Sequence, residues 1–136
     1  MRFTTFGKTN WQVSSICLGT VELGMQYGLY ASGEEPVPSE NKSIDLLLES
    51  FDKGINFLDT APAYGNSEEI VGKAIKKWNK KIYLATKIEN FSDKPSKSDL
   101  RKRIEFSILN SLRRLKVDQI DLLQIHSMNI EDDTYL

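Results

Sequence analysis

Gly54-Ile55-Asn56-Phe57-Leu58-Asp59-Thr60-Ala61-Pro62-Ala63-Tyr64-Gly65-Asn66-Ser67-Glu68 is the stretch on which the fold turns. Just ahead of it, Ile44, Leu47, Leu48 and Phe51 recur at helical spacing, and Gly54 is a stop signal. Ile55-Asn56-Phe57-Leu58 is an apolar run of strand length. A second helix is expected to start near Asn66 or Ser67. Glu68 and Glu69 then occupy a first turn that favours acidic side chains. The apolar face of that helix reads Ile70, Val71, Ala74, Ile75 and Trp78. Helix, strand, loop and helix thus follow one another, which is the repeating unit of a parallel sheet covered by helices.

The pattern extends in both directions. Upstream, residues 2–6 and 11–15 alternate around Gly7-Lys8-Thr9-Asn10, which predicts an N-terminal hairpin over residues 1–15. Ile16-Cys17-Leu18, closed by Gly19, is the first strand of the parallel set, with Cys17 read as a small buried residue. From Thr20 to Ser39, the glycines 24, 28 and 33 and the prolines 36 and 38 predict an irregular exposed loop. Downstream, residues 82–85 form the next strand. Ser96 and Asp99 have capping-box spacing and open a third helix. Its buried stripe is expected to be Leu100, Ile104, Ile108, Leu112 and Leu115. Residues 120–125 are the last strand. The reading is an α/β fold in one domain, residues 1–136, with strands one to four and their helices over 16–136. Periodicity alone fits either an open doubly wound sheet or half of a closed barrel.

The bulk numbers narrow the class. With 136 residues, 40% of them hydrophobic and 27% charged, the chain can bury one core and reads as soluble and globular. A net charge of -1 gives no reason to expect nucleic acid or an anionic membrane as partner. No apolar run approaches the roughly 20 residues that span a bilayer. The N-terminus lacks the apolar stretch of a signal peptide, and Cys17 has no second cysteine to pair with. A reducing, cytoplasmic setting is the expectation. No metal site is expected.

Reactive side chains fall at strand ends. Asp59 follows its strand directly, Lys87 follows residues 82–85 after Thr86, and His126, the lone histidine, follows residues 120–125. In a parallel sheet the C-terminal ends share one face, where such folds place their sites. Tyr64 lies in the loop after Asp59 and overhangs the same face. Singly, each has a plainer role: a turn cap, a surface lysine, a packing tyrosine, a histidine at the core's edge. Together they suit carbonyl reduction. That reaction needs a hydride, which no side chain supplies, and an acid for the developing alkoxide. A tyrosine phenol ordinarily titrates near about 10, and a neighbouring ammonium favours its phenolate. Lys87 is the candidate ammonium, Asp59 its holder, and His126 a hydrogen-bonding partner for the substrate oxygen.

The segment from Gly54 to Glu68, with Asp59 and Tyr64 five residues apart and Gly72 beyond, resembles the aldo-keto reductase signature. Ala85-Thr86-Lys87 is similar to that family's strand-end lysine. Leu112-Arg113-Arg114-Leu115 and Asp118-Gln119-Ile120-Asp121-Leu122-Leu123-Gln124-Ile125-His126 are similar to its histidine strand. Gly7-Lys8-Thr9 and Leu18-Gly19-Thr20 match its start. The resemblance covers essentially the whole chain. It implies the N-terminal half, about four β/α units, of a TIM-type (β/α)8 barrel whose bottom is plugged by the hairpin. It implies NADP(H), less often NAD(H), bound without a Rossmann fingerprint. It implies catalytic roles for Asp59, Tyr64, Lys87 and His126, with Tyr64 as proton donor. Gly19, Thr20, Val21 and Asp59 are expected near the nicotinamide. Glu22, Met25, Tyr27 and Tyr30 are expected near the substrate.

The family's chain is about twice as long, and its second half carries four further strands and most of the cofactor grip. Four strands do not close such a barrel. Three outcomes are therefore open: a truncated chain that folds poorly alone, a second copy as partner, or a complementing C-terminal half. The alternative is a non-catalytic half-barrel, or a regulatory subunit like the family's ion-channel-associated members. The particular aldehyde or ketone, and the choice of NADPH over NADH, are not written in these residues.

Overall fold

The computed structural model describes residues 1–28, 37–89 and 96–126. The chain opens with a hairpin, β1 (Phe3–Thr5) and β2 (Gln12–Ser14), paired antiparallel. Its turn uses positive φ at Gly7 (54°) and Asn10 (62°), residue types that tolerate the left-handed region. Four parallel strands follow: β3 (Leu18–Gly19), β4 (Phe57–Asp59), β5 (Tyr83–Ile88) and β6 (Leu122–Ile125), lying side by side in chain order. Between them come α1 (Val21–Gly24), α2 (Glu40–Asp52), α3 (Ser67–Trp78) and α4 (Lys97–Leu115).

The two sheet faces have different partners, and this separates barrel from doubly wound sheet. Successive strand residues point to opposite faces. Leu58 and Leu84 join the core with Ile44, Leu47, Phe51, Ile70, Val71 and Leu115 from α2, α3 and α4. Their neighbours Phe57 and Tyr83 pack instead with Val13, Phe6 and Trp11 of the hairpin region. Trp11 stacks on Tyr83 at 5.3 Å between ring centroids, and Phe6 meets Phe57 edge-on at 5.4 Å. A doubly wound sheet carries helices on both faces. Here one face carries helices and the other receives the hairpin at the strands' N-terminal ends. This is an α/β fragment of a (β/α)8 barrel with its bottom plug.

Asn56 fastens the plug. Its side-chain oxygen accepts from the Ser14 N–H at 2.7 Å, and its amide donates to the Gln12 carbonyl at 2.9 Å. The Ser14 hydroxyl in turn accepts from the Asn56 N–H at 3.2 Å. A polar residue inside an apolar strand run thus satisfies the N–H of buried Ser14 and ties the hairpin to the sheet.

The helix signals at Ser96 and Gly54 act where expected, and the structure adds a cap at Ser39. The Ser39 and Ser96 hydroxyls cap α2 and α4, accepting from the Lys42 and Asp99 N–H groups. Gly54 ends α2 with φ at 92°.

Four expectations need correction. Asp59 is the last residue of β4 and Lys87 lies within β5, not beyond their strands, because pairing continues through Asp59↔Ala85, Lys87↔Gln124 and Ile88↔Ile125 after each apolar run ends. Cys17 is exposed and outside a strand; β3 is a two-residue edge strand. The loop from Thr20 contains the short helix α1, and Tyr30, with the rest of 29–36, lies outside the described residues. In α4, Leu100 and Leu115 are buried, but the middle of the buried face is Ser107 and Ser111, with Ile104, Ile108 and Leu112 only half-buried. Two contacts mark this face, one between backbones at the end of α4 and one polar bond in its middle. A Cβ on Gly72 of α3 would sit 2.5 Å from the Arg114 carbonyl oxygen, so this helix pair touches through its backbones. The Ser107 hydroxyl also accepts from the Glu89 N–H at 3.1 Å, beside β5, a contact no aliphatic side chain can make.

The sheet edges are β3 and β6. Leu123 and Ile125 of β6, and Phe106 and Leu109 of α4, are exposed. Unpaired strand edges flanked by apolar side chains call for a covering element.

Candidate active site

The strand ends converge. Gly19 and Asp59 are register partners at the ends of β3 and β4, Lys87 lies near the end of β5, and His126 follows β6 directly. Asp59 and Lys87 have the parity of Phe57 and Ala85. They therefore point to the same face as the hairpin cluster but sit at the opposite end of the strands. The Lys87 ammonium donates to both Asp59 oxygens, at 2.9 and 2.7 Å, and to the Thr60 carbonyl at 3.0 Å. The lysine side chain is 12% exposed, so this ion pair is shielded more than a surface pair is.

Tyr64 comes from the loop between β4 and α3. A turn bonds the Tyr64 N–H to the Ala61 carbonyl at 3.1 Å, and the Ser67 N–H to the Tyr64 carbonyl at 3.0 Å. The loop is pressed onto α1 through two glycines. A Cβ on Gly24 would lie 2.0 Å from the Tyr64 carbonyl oxygen, and one on Gly65 would lie 2.2 Å from the Gly24 carbonyl oxygen. The result is a tyrosine ring with the Lys87 ammonium 4.8 Å from its centroid. The His126 imidazole meets the same ring edge-on at 5.5 Å. His126 Nδ1 is buried and has no hydrogen-bond partner among the described residues. Carboxylate, ammonium, phenol and imidazole thus form one contiguous group.

Residues 15–134 match the model of the aldo/keto reductase family. The chain belongs to that family. It is 40% identical over 93% of its length to the aldo-keto reductase YhdN of Bacillus subtilis, of which it spans 38%. It superposes on an aldo-keto reductase structure from Pseudomonas aeruginosa with a TM-score of 0.75 and 32% identity, covering 98% of this chain and 50% of that one. A structure of an aldo/keto reductase from Klebsiella pneumoniae in complex with NADP and acetate gives 0.64 and 26% identity, covering 96% of this chain and 41% of that one. The chain therefore spans about two-fifths of the curated relative and half or less of these two structures.

The other expected positions of this aldo/keto reductase chain divide in two. Gly19 is exposed, and a Cβ there would meet nothing within 4 Å. Val21 is half-buried at the start of α1, and Glu22, Met25 and Tyr27 are exposed beyond it. Thr20 is fully buried, with its hydroxyl donating to the Asp59 carbonyl at 3.0 Å. The Ser67 hydroxyl lies 2.7 Å from the Thr20 hydroxyl and 3.1 Å from that of Thr60. The Thr20 side chain is thus occupied in a hydroxyl cluster beneath the rim, which ties β3, β4 and the first residue of α3 together.

Sequence reasoning missed Glu68. It does lie in the first turn of α3, as expected, but it is also 1% exposed. It accepts from the Thr86 hydroxyl at 2.6 Å and from Arg114 Nε at 2.6 Å. The signal was available. Glu68 precedes Val71 by three positions, Gly72 by four and Ile75 by seven, so it lies on the helix's apolar face. Among the described residues no group of three or more His, Cys, Asp or Glu is placed to hold a metal ion, and no helix is long and apolar enough to cross a membrane.

Cys17 stands near this site. Desolvation of the thiol and then the Asp59 carboxylate push its pKa up to about 11, against the opposing pull of Lys87. Alkylation requires the thiolate. Iodoacetamide at pH 8 is therefore expected to label Cys17 up to about 100-fold more slowly than free cysteine. Asp59→Asn should speed the reaction. Labelling at the free-cysteine rate would show that the carboxylate does not act on this thiol.

Proposed function

We propose that this chain supplies the catalytic half of an NAD(P)H-dependent reductase acting on an aldehyde or ketone, with Tyr64 as proton donor. The observation that carries the reading is the shared contact: one phenol ring touched by the Lys87 ammonium and the His126 imidazole, with Asp59 holding the lysine.

The residues present fit the nicotinamide end of such a cofactor. Gly19 has open space beside Asp59, and His126 Nδ1 is buried without a partner among the described residues. Gly19, Val21 and Asp59 would hold that end, with the backbone of Thr20. When bound, the nicotinamide supplies the hydride that no side chain can. Tyr64 donates its proton to the carbonyl oxygen, and the Lys87 ammonium stabilises the phenolate left behind. Asp59 holds Lys87 oriented through both of its oxygens. His126 hydrogen-bonds the substrate oxygen and orients the carbonyl toward Tyr64. NADP(H) is the favoured cofactor, supported by the NADP in the Klebsiella pneumoniae relative, and the expected setting is cytoplasmic.

The open strand edges and the exposed Leu123 and Ile125 support the partner side of the proposal. The working enzyme needs the rest of the barrel, either as a complementing C-terminal half or from a second copy. Trp11 and Trp78 provide the test. Their emission is expected to quench on adding NADPH once the barrel is completed, and carbonyl-dependent NADPH oxidation should follow. A completed barrel that leaves both unchanged at millimolar cofactor would sink the reductase reading.

A further inference from the structure

We infer that Glu68 is a positioning residue, which sets Lys87 against Tyr64 by holding the opposite face of β5 through Thr86. The inference rests on the proposed roles of Tyr64 and Lys87 and extends them to a buried charge that the chemistry leaves unexplained.

Glu68 is a fully buried carboxylate with two donors from two different elements: the Thr86 hydroxyl of β5 and Arg114 Nε at the end of α4, each at 2.6 Å. Arg114 is itself 27% exposed, so the charged acid lies deeper than its partner. A buried ion pair is a poor source of stability, because desolvation offsets the attraction. What it does supply is geometry, since both oxygens are bonded in fixed directions.

The two residues that follow from that geometry are the ones in the site. Thr86 immediately precedes Lys87 in β5, and their side chains leave opposite faces of the strand. With Thr86 fixed on the helix face, the twist of β5 at this point is fixed. The Lys87 stem then leaves the inner face toward Asp59 and the Thr60 carbonyl. Glu68 also follows Ser67, whose hydroxyl bonds Thr20 and lies beside Thr60. The first turn of α3 is therefore bonded to β3, β4 and β5 together. It is the same turn that ends the Tyr64 loop. Thr20, Thr60, Ser67 and Thr86 are all buried, which excludes water from the joint.

Thr86→Val tests this with the least disturbance, since it removes a hydroxyl and keeps the shape. Thr86→Ser keeps the hydroxyl. Glu68→Gln keeps the size and removes the charge. The intact protein, with whatever partner completes it, is labelled with ring-13C tyrosine, and Tyr64→Phe assigns the Tyr64 signal. That ring lies against an ammonium and an imidazole, so its resonance reports their placement. We expect the signal to move in Thr86→Val and Glu68→Gln and to return to the wild-type position in Thr86→Ser. In turnover, Thr86→Val should lower kcat about tenfold with KM nearly unchanged, because the loss lies in the reacting group and not in binding. A merely structural role predicts lower melting temperatures with the Tyr64 resonance unmoved, and that result overturns the inference. A moved resonance in a protein without reductase activity would leave the clamp standing and remove the reductase reading. Normal turnover with an unmoved resonance would do the reverse.

Discussion

Lys87→Met is expected to lower carbonyl reduction by about 10²–10⁴-fold in the completed barrel, the usual scale of a lost acid-base contribution. The methionine keeps the length of the stem but not the charge. It removes the donor to both Asp59 oxygens and the cation 4.8 Å from the Tyr64 ring. Transfer of the phenol proton then proceeds without the ammonium that stabilises the phenolate. Tyr64→Phe should show a similar loss, because it deletes the donor itself. The double variant is the sharper measurement. Residues that act as a unit are not additive, so it should be no worse than either single change. Lys87→Met turnover within about threefold of wild type would remove the assigned mechanism. Circular dichroism and a thermal melt on the same samples separate lost chemistry from lost fold.

The second large effect is steric. Gly24→Ala places a methyl 2.0 Å from the Tyr64 carbonyl oxygen, 2.4 Å from the Ser67 nitrogen and 2.7 Å from the Ser67 Cβ. Two of those neighbours are backbone atoms, so no rotamer change relieves the clash. The loop must lift away from α1, carrying Tyr64 with it. A loss of about 1–3 kcal/mol is expected from overpacking. Gly65→Ala should cost more. Its Cβ would sit 2.2 Å from the Gly24 carbonyl oxygen, and its φ of 58° adds about 1–2 kcal/mol for a non-glycine residue. Gly19→Ala is the control, since its Cβ meets nothing within 4 Å and should leave the melt unchanged. Denaturant melts of the three variants rank them directly. Equal stability of Gly24→Ala and wild type would mean that the loop is not held by this contact.

Much of this site was legible because strand ends are marked in the sequence. An apolar run followed at once by Asp59 or His126 is visible without coordinates, and the parallel topology then brings such residues to one rim. The N-cap at Ser96 and the stop at Gly54 were equally local, since each acts within one helical turn. The limit of Lys87's strand was not, because the partner strand β6 is supplied by residues more than thirty positions away. The first-turn place of Glu68 was legible, but its burial against Thr86 and Arg114 was not, because those partners lie 18 and 46 positions away. The burial of the α4 serines was not legible either, because the Ser107 bond to the Glu89 N–H joins residues 18 positions apart.

Apart from α1, the order of elements, the parallel sheet and the four candidate side chains come from the sequence by itself. Periodicity and end signals act over a few residues, and the chain states them directly. Two things came only with the tertiary structure. One is the choice of a barrel fragment over a doubly wound sheet, which depends on what covers each face. The other is the bracing beneath the rim, where Thr20, Thr60, Ser67, Glu68, Thr86 and Arg114 meet from five elements or their flanks. Both depend on contacts between residues distant in sequence, and no local pattern encodes which buried polar group finds which partner.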